Sequence, residues 1–328
     1  MLSFDWATKR VVVTGGAGFL GRHGVAQLAA RGCRNNVVVP RSREYDLRQQ
    51  DHVMRLDRDT QPDVVIHLAA VVGGIGANQQ RPAEFFHDNL LMGVHMIHEG
   101  MHAGVEKFVT VGTVCAYPKW TPVPFQEKHL WDGYPEETNA PYGIAKRALL
   151  VQGQAYRQQY GMNVIHLLPV NLYGPQDNVD PATSHVIPAL IRKCVEAQAN
   201  GDDEIVVWGD GTPTREFLYV EDGAEGIVLA AERYNGAEPV NIGSGNEISI
   251  RDLVMLIAKE VGFTGRIVFD TSKPNGQPRR SLDTSKAAEL FGFRARTPFT
   301  EGIARTVTWY RREVMPAAAT SLADHSYI

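Results

Sequence analysis

Residues 10–24 read RVVVTGGAGFLGRHG. The β-branched run 10–14 has the character of a buried strand, because Val and Thr fit a pleated surface and no charge interrupts them. Gly15, Gly18 and Gly21 follow with the spacing GxxGxxG, and a helical pattern begins at Phe19 and runs to about residue 31. At such a turn, glycine lets the backbone bend sharply and lets an anion reach the helix N-terminus, where free N–H groups and the helix dipole favour negative charge. A glycine triplet alone also serves plain packing. Its place directly after the first strand and at a helix start makes a dinucleotide pyrophosphate the expected occupant, with Phe19 and Leu20 beside it.

The same alternation continues outward. Further β-branched or apolar runs lie at 35–40, 63–70, 107–112 and 163–170, separated by helical stretches at 51–59, 82–103 and 142–160. Strands alternating with helices predict an α/β fold with a Rossmann-type, doubly wound parallel sheet. After residue 172 the elements shorten: a helix from His185, strands at 204–210 and 215–220, helices near 221–233 and 249–261, and a strand at 266–270. These predict a smaller α/β lobe, so the expected division is 1–172 for a dinucleotide-binding domain and 173–328 mainly for a substrate lobe, with some segments returning to the first. Residues 314–328 show no clear period and are expected to be peripheral.

Composition narrows the function classes. A formal net charge of −4 with 21% charged residues gives no electrostatic reason to expect nucleic acid or an anionic membrane as partner. No apolar stretch approaches the length of a spanning helix and the N-terminus lacks a secretory h-region, so a cytoplasmic protein is expected. Cys33, Cys115 and Cys194 are odd in number and far apart, which argues for free thiols rather than a disulfide framework or a zinc site. His95, His98 and His102 have helical spacing, but no carboxylate or cysteine with ligand spacing joins them, and no metal is expected.

Candidate chemistry gathers at the strand ends. After the second strand, Pro40, Arg41, Ser42 and Arg43 stand where a carboxylate would accept from the ribose 2′-hydroxyl of NAD; two guanidinium groups there suit a 2′-phosphate and hence NADP(H). The third strand runs into small residues with Gly73, Gly74 and Gly76, a composition that permits close cofactor approach. The fourth ends in VTVGTVCAYP (109–118), and if this end stays extended, the Thr113 hydroxyl and the Cys115 thiol face the same side. Residues 113–141 then form a loop without a convincing helix or strand, whose aromatics Trp120, Phe125, Trp131 and Tyr134 predict a packed and ordered segment. Asn139, Ala140 and Pro141 make a helix start, placing Tyr142 and Lys146 on one face at i, i+4, where an ammonium can tune a phenol that ordinarily titrates near pH 10.

With these residues in view the sequence resembles the extended short-chain dehydrogenase/reductase superfamily. The runs LAAVVGGIGAN, VGTVCAYPK, PEETNAPYGIAK, PVNLYGPQDN, SHVIPALIRK, WGDGTPTREFLYVED and KPNGQPRRSLD further resemble the GDP-L-fucose synthase family across roughly residues 10–312. That resemblance implies NADPH-dependent conversion of GDP-4-keto-6-deoxy-D-mannose by C3/C5 epimerisation and C4 reduction, in a homodimer joined through the helices at 82–103 and 142–160. It implies Tyr142 as general acid, Lys146 as its partner and a contact of the nicotinamide ribose, Thr113 as polariser of the substrate carbonyl, and Cys115 with His185 as the epimerising acid/base pair. Val111, Gly112, Pro169, Asn171 and Leu172 would line the cofactor, and Lys193, Trp208, Arg215 and Asn275 the nucleotide diphosphate and base.

Two departures stand out: Thr113 and Val114 replace a usual pair of serines, and Lys193 stands where arginine also occurs, losing bidentate phosphate recognition. A 4,6-dehydratase or simple 4-epimerase of the same superfamily is the alternative, and Val114-Cys115 lacks the acidic pair a dehydratase needs beside its hydroxyl. A non-enzymatic dinucleotide-binding regulator would have no use for Thr113, Cys115, Tyr142, Lys146 and His185 together.

Overall fold

The computed structural model describes residues 4–181, 183–273 and 275–315. In chain order the first half supplies β1 (Val11–Thr14), α1 (Phe19–Ala30), β2 (Val37–Val38), α2 (Gln50–Thr60), β3 (Val64–His67), α3 (Ile75–Gln80), α4 (Pro82–His102), β4 (Lys107–Val111), α5 (Ala140–Tyr160) and β5 (Val164–Pro169). The second half supplies β6 (Asn171–Tyr173), α6 (Val186–Asn200), β7 (Glu204–Trp208), β8 (Thr214–Tyr219), α7 (Val220–Arg233), β9 (Val240–Ile242), β10 (Glu247–Ser249), α8 (Ile250–Val261), β11 (Arg266–Asp270), β12 (Arg279–Arg280), α9 (Ser285–Phe291) and α10 (Phe299–Trp309).

Six parallel strands form the central sheet in the order β2-β1-β3-β4-β5-β9, with Val11 opposite Val64 and Phe108 opposite Val164. Both faces are covered, and the period of two decides which residue goes where. Val11, Val13, Ile66, Val109 and Ile165 face a core completed by Leu28 of α1 and by Ile227, Val228 and Ala231 of α7. Val12, Val65, Phe108 and Val164 face the opposite core with Val53, Leu56, Met96, Ile97 and Leu149 from α2, α4 and α5. The fold is therefore α/β and Rossmann-type, as the alternation of elements predicts.

The third core lies between α6, α8, α10 and the outer strands, and includes Ile187, Ile191, Phe217, Leu253, Ile257 and Ile303. There β8 is flanked by β10 and β12 and is also paired with β6, while β7 and β11 form a separate parallel pair. The chain returns to the first sheet through β9, which pairs with β5 at Leu167–Val240.

Several expectations are corrected. The run 35–40 yields only Val37–Val38 as strand, because the chain turns away toward Pro40, whose nitrogen has no hydrogen to donate to a ladder. The glycine-rich end of the third strand is not all loop: α3 starts at Ile75, and α9 and α10 add helices beyond residue 280. Phe125 is buried as expected, whereas Trp120, Trp131 and Tyr134 are exposed at 80%, 54% and 64%, so one aromatic of four holds the 113–141 loop by packing. That loop contains two short 3-10 turns, at Val114–Ala116 and Glu127–His129, and single bridges join Pro118 to Pro135 and Phe125 to Leu282. Of the segment expected to be peripheral, 316–328 lies outside the described residues.

Candidate active site

The glycine turn is built for close approach. Gly15 adopts φ +69, and a Cβ there would come within 2.8 Å of the Ala69 nitrogen. A Cβ on Gly21 would overlap the Gly15 carbonyl. Gly18 caps α1 without a side-chain acceptor, leaving the first-turn N–H groups free for an anion. A turn whose atoms forbid side chains and whose helix lacks a cap fits a pyrophosphate.

Beyond β2 the two arginines differ. Both are exposed, but the Arg43 Nε lies 3.5 Å from Glu44, while the Arg41 guanidinium has no hydrogen-bond or ion-pair partner among the described residues. Arg41 is the uncommitted cation of the two.

The end of β4 departs from the extended geometry that would aim Thr113 and Cys115 to one side. Thr113 itself is extended, at φ −162 and ψ 149, but it caps the 3-10 turn Val114–Ala116, and its Oγ1 accepts from the Cys115 N–H at 3.1 Å. The hydroxyl competes with the ladder for that amide, and the strand stops. Its own O–H has no acceptor among the described residues, and so can donate to a substrate oxygen.

Helix α5 is seated on this turn. A Cβ on Gly143 would lie 2.7 Å from the Cys115 carbonyl oxygen, so the helix start approaches within backbone contact. Arg147 fixes the arrangement by donating from Nε to the Ala116 carbonyl at 2.6 Å and from Nη1 to the Gly133 carbonyl at 3.1 Å. Tyr142 and Lys146 are thereby held over the end of the sheet.

The electrostatics of the pair follow from burial. The Tyr142 phenol is pushed well above its ordinary value, chiefly by desolvation and then by the neighbouring Cys115, and holds its proton at neutral pH. Lys146 is buried and lowered to about 8 by desolvation. Its Nζ sits 5.8 Å from the centre of the Tyr142 ring, over the face rather than at the hydroxyl. Underneath, His67 and His166 are held neutral at about 3 by burial and by Lys146, and their Nδ1 atoms bond Thr14 and Thr110 at 2.8 and 2.7 Å. Two neutral imidazoles leave Lys146 as the charge at that spot. No motif marks either histidine: His67 ends β3, and His166 lies within β5.

Cys115 faces a second cation. Arg280 donates from Nη1 to its Sγ at 3.4 Å, and Arg280 is itself held by the Gln277 Oε1, which accepts from Nε at 2.8 Å and also from Nη2. Arg215 belongs to the same cluster: its pKa falls to about 10, mainly through burial and then through Arg280, with Cys115 acting the other way. Its Nη1 donates to the Thr214 carbonyl at 2.7 Å. Arg280 lies in the quoted run KPNGQPRRSLD, yet no local spacing marks it.

The remaining candidates fall in two places. Lys193 donates to the Val206 carbonyl at 2.8 Å, Trp208 ends β7 at 64% exposure, and the Asn275 Oδ1 accepts from the Asp210 N–H at 2.9 Å, so these three surround β7. Gly276 links them to Arg215, whose Nη2 would be 3.3 Å from a Cβ there. His185 caps α6 and keeps solvent access, while the protein around it lowers its imidazole pKa by desolvation. It makes no hydrogen bond to Cys115 among the described residues.

Val111 closes β4 and Gly112 follows it, with the His166 ring packed against Gly112. Pro169 closes β5, and the Asn171 Nδ2 donates to the Glu216 carbonyl at 3.2 Å, with Leu172 half-buried beside it. His98 bonds the Tyr156 hydroxyl at 2.7 Å across α4 and α5.

Comparison with known proteins agrees with this geometry. Residues 11–243 match the model of the NAD dependent epimerase/dehydratase family. GDP-L-fucose synthase 1 of Arabidopsis thaliana is 43% identical over 94% of this chain and 94% of its own length. GDP-L-fucose synthase of Escherichia coli (strain K12) is 39% identical over 92% and 96%. A crystal structure of a GDP-L-fucose synthetase from Naegleria fowleri bound to NADP is 32% identical, covers 93% of this chain and 94% of its own, and superposes with a TM-score of 0.85. Similarity of this extent along nearly the whole chain places the protein: it belongs to the NAD dependent epimerase/dehydratase family and, within it, to the GDP-L-fucose synthases.

Proposed function

We propose that the protein is an NADPH-dependent epimerase-reductase that converts GDP-4-keto-6-deoxy-D-mannose to GDP-L-fucose. The observation that carries this reading is the meeting of Cys115, in contact with Arg280, with the Tyr142–Lys146 pair beyond a tight glycine turn that opens an uncapped helix.

The residues fit the cofactor. Gly15, Gly18, Phe19, Leu20 and Gly21 would take the pyrophosphate, Arg41 and Arg43 the 2′-phosphate, and Val111, Gly112, Lys146, Pro169, Asn171 and Leu172 the nicotinamide half. When bound, NADPH supplies the hydride that reduces C4.

The chain's own residues do the rest. A 4-keto group acidifies the protons on C3 and C5, so Cys115 and His185 can each take a proton from one face of the ring while the other returns one to the opposite face. The Thr113 hydroxyl donates to the keto oxygen and so favours the enolate that forms. Tyr142, kept protonated by burial, gives its proton to O4 as the alcohol forms. The Lys146 ammonium beside it favours the phenolate left behind. Arg215 and Lys193 bind the diphosphate, and Trp208 and Asn275 the base.

We assign residues 1–172 mainly to the cofactor and 173–328 mainly to the substrate, with α7 and β9 returning to the central sheet. A cytoplasmic homodimer joined along α4 and α5 completes the reading, supported by half-exposed Val151 and Tyr160 on α5.

The test is one assay in heavy water with purified protein, NADPH and the 4-keto donor, read by NMR. Deuterium at C3 and C5 together with GDP-L-fucose is expected. Protein that binds NADPH yet yields neither would overturn the reading.

A further inference from the structure

Cys115 has two guanidinium groups in its neighbourhood, and they are held differently. Three elements face the thiol: β12 with Arg280, β8 with Arg215, and α5 with Tyr142. The next acid outward, Glu247, is engaged by Arg279 and accepts from the Thr214 hydroxyl at 2.9 Å. No carboxylate among the described residues pairs with Arg280. Its guanidinium is fixed instead by a neutral acceptor, Gln277, which is buried and is anchored in turn by donating from Nε2 to the Lys119 carbonyl at 2.8 Å. A carboxylate in Gln277's place would neutralise the cation; an amide oxygen orients it and leaves its charge free to act on sulfur.

We propose that Arg280, oriented by Gln277, is a positioning residue that acts through Cys115, aiming the thiol and favouring the thiolate that inverts the sugar. The inference rests on the epimerase role given to Cys115 above. A guanidinium beside a thiol raises the thiolate fraction at neutral pH, and the thiolate is the form that takes up a proton. Arg215 can be drawn toward a bound diphosphate, whereas Arg280 is tied to Gln277 and stays on the sulfur.

The test needs no substrate or cofactor. Cys33 and Cys194 are fully buried, so alkylation of the native protein by iodoacetamide reports on Cys115, with Cys115→Ser giving the background. Rates are measured from pH 6 to 10 for the unmodified protein, Arg280→Gln and Arg280→Lys, with far-UV circular dichroism as the check on folding. Loss of the cation lowers the thiolate fraction but raises the nucleophilicity of each thiolate. Arg280→Gln should therefore react roughly threefold or more slowly at pH 7 and faster than the unmodified protein at pH 10. Arg280→Lys, which keeps the charge, should restore much of the rate at pH 7.

A merely structural role would loosen the site and speed alkylation at every pH. Equal profiles for Arg280→Gln and the unmodified protein, or a uniform increase, would overturn the proposal. If Arg280→Gln does not fold, Arg280→Lys decides: a profile displaced to higher pH than Arg280→Met or any neutral replacement that folds would also overturn it. Because alkylation is read on cofactor-free protein, failure of the fucose-forming assay would leave this result standing, and failure here would leave that assay untouched.

Discussion

Glu216 on β8 offers the sharpest test of how the site is held. Its carboxylate is fully buried, with Oε1 accepting from the N–H groups of Ser244 and Gly245 at 2.6 and 2.9 Å and Oε2 accepting from the Leu282 N–H at 2.6 Å and the Ser281 hydroxyl at 3.0 Å. It ties together β8, the turn after β9 and the segment after β12, and its chain neighbour is Arg215 while Ser281 follows Arg280. Glu216→Ala strands three backbone donors, each costing about 1–3 kcal/mol when left unpaired in the interior. Water entering the space left by the side chain would satisfy some of them, so the expected loss is in the lower half of the sum, about 3–5 kcal/mol. In a chain of this size that lowers Tm by roughly 6–10 °C, at about 2 °C per kcal/mol.

The functional loss should be selective. Both guanidinium groups near Cys115 are displaced, so solvent deuterium should enter C3 and C5 more slowly, while the glycine turn and NADPH binding are spared. Differential scanning calorimetry and fluorescence titration with NADPH separate the two effects. A variant with unchanged Tm, or one that loses NADPH affinity and deuterium exchange in equal measure, would refute the view that Glu216 braces the substrate side alone.

Arg41→Ser should remove most of the preference for NADPH over NADH in binding titrations and Arg43→Ser much less, because Arg43 already has Glu44 beside it and Arg41 has no partner among the described residues. Tyr142→Phe should lower NADPH oxidation about 10²–10⁴-fold with cofactor binding kept, since it deletes a proton donor and little volume. Cys115→Ser should stop deuterium entry at C3 and C5 while leaving reduction possible, giving a product of the unepimerised series by NMR.

Asp57, buried on α2 with both carboxylate oxygens unpaired among the described residues, is raised to about 7 by desolvation and then by Glu99. The folded state thus binds the extra proton, so stability is fullest below the unfolded value near 4 and falls as pH rises to 7, by about 4 kcal/mol at 1.4 kcal/mol per unit. Asp57→Asn should raise Tm at pH 8 and change it little at pH 4 in thermal melts.

What could be read from sequence is what local chemistry dictates. Strands β1, β3, β4 and β5 are buried on both faces, so each is dominated by apolar or β-branched residues, with His166 the break in β5. The glycine turn and the Tyr142–Lys146 spacing are likewise local. By contrast, β9 has three residues and belongs to the central sheet only because β5 leaves an open edge beside it, a relation that no window of sequence contains.

The turn at Thr113 shows a subtler limit. A hydroxyl can continue a strand or cap a turn, and Thr113 capping the Cys115 amide decides the matter through one hydrogen bond. That same turn presents Cys115 to Arg280, a residue 165 positions away that arrives on β12 through the pairing of Arg280 with Arg215. The thiol's identity is legible at once, but its chemistry depends on a neighbour delivered by the last strand of the outer sheet. The same holds for Glu216, whose neighbours in sequence are apolar or cationic and whose four donors come from two other segments. Residues that react can be found by their type and spacing; residues that set how they react have to be found by what touches them.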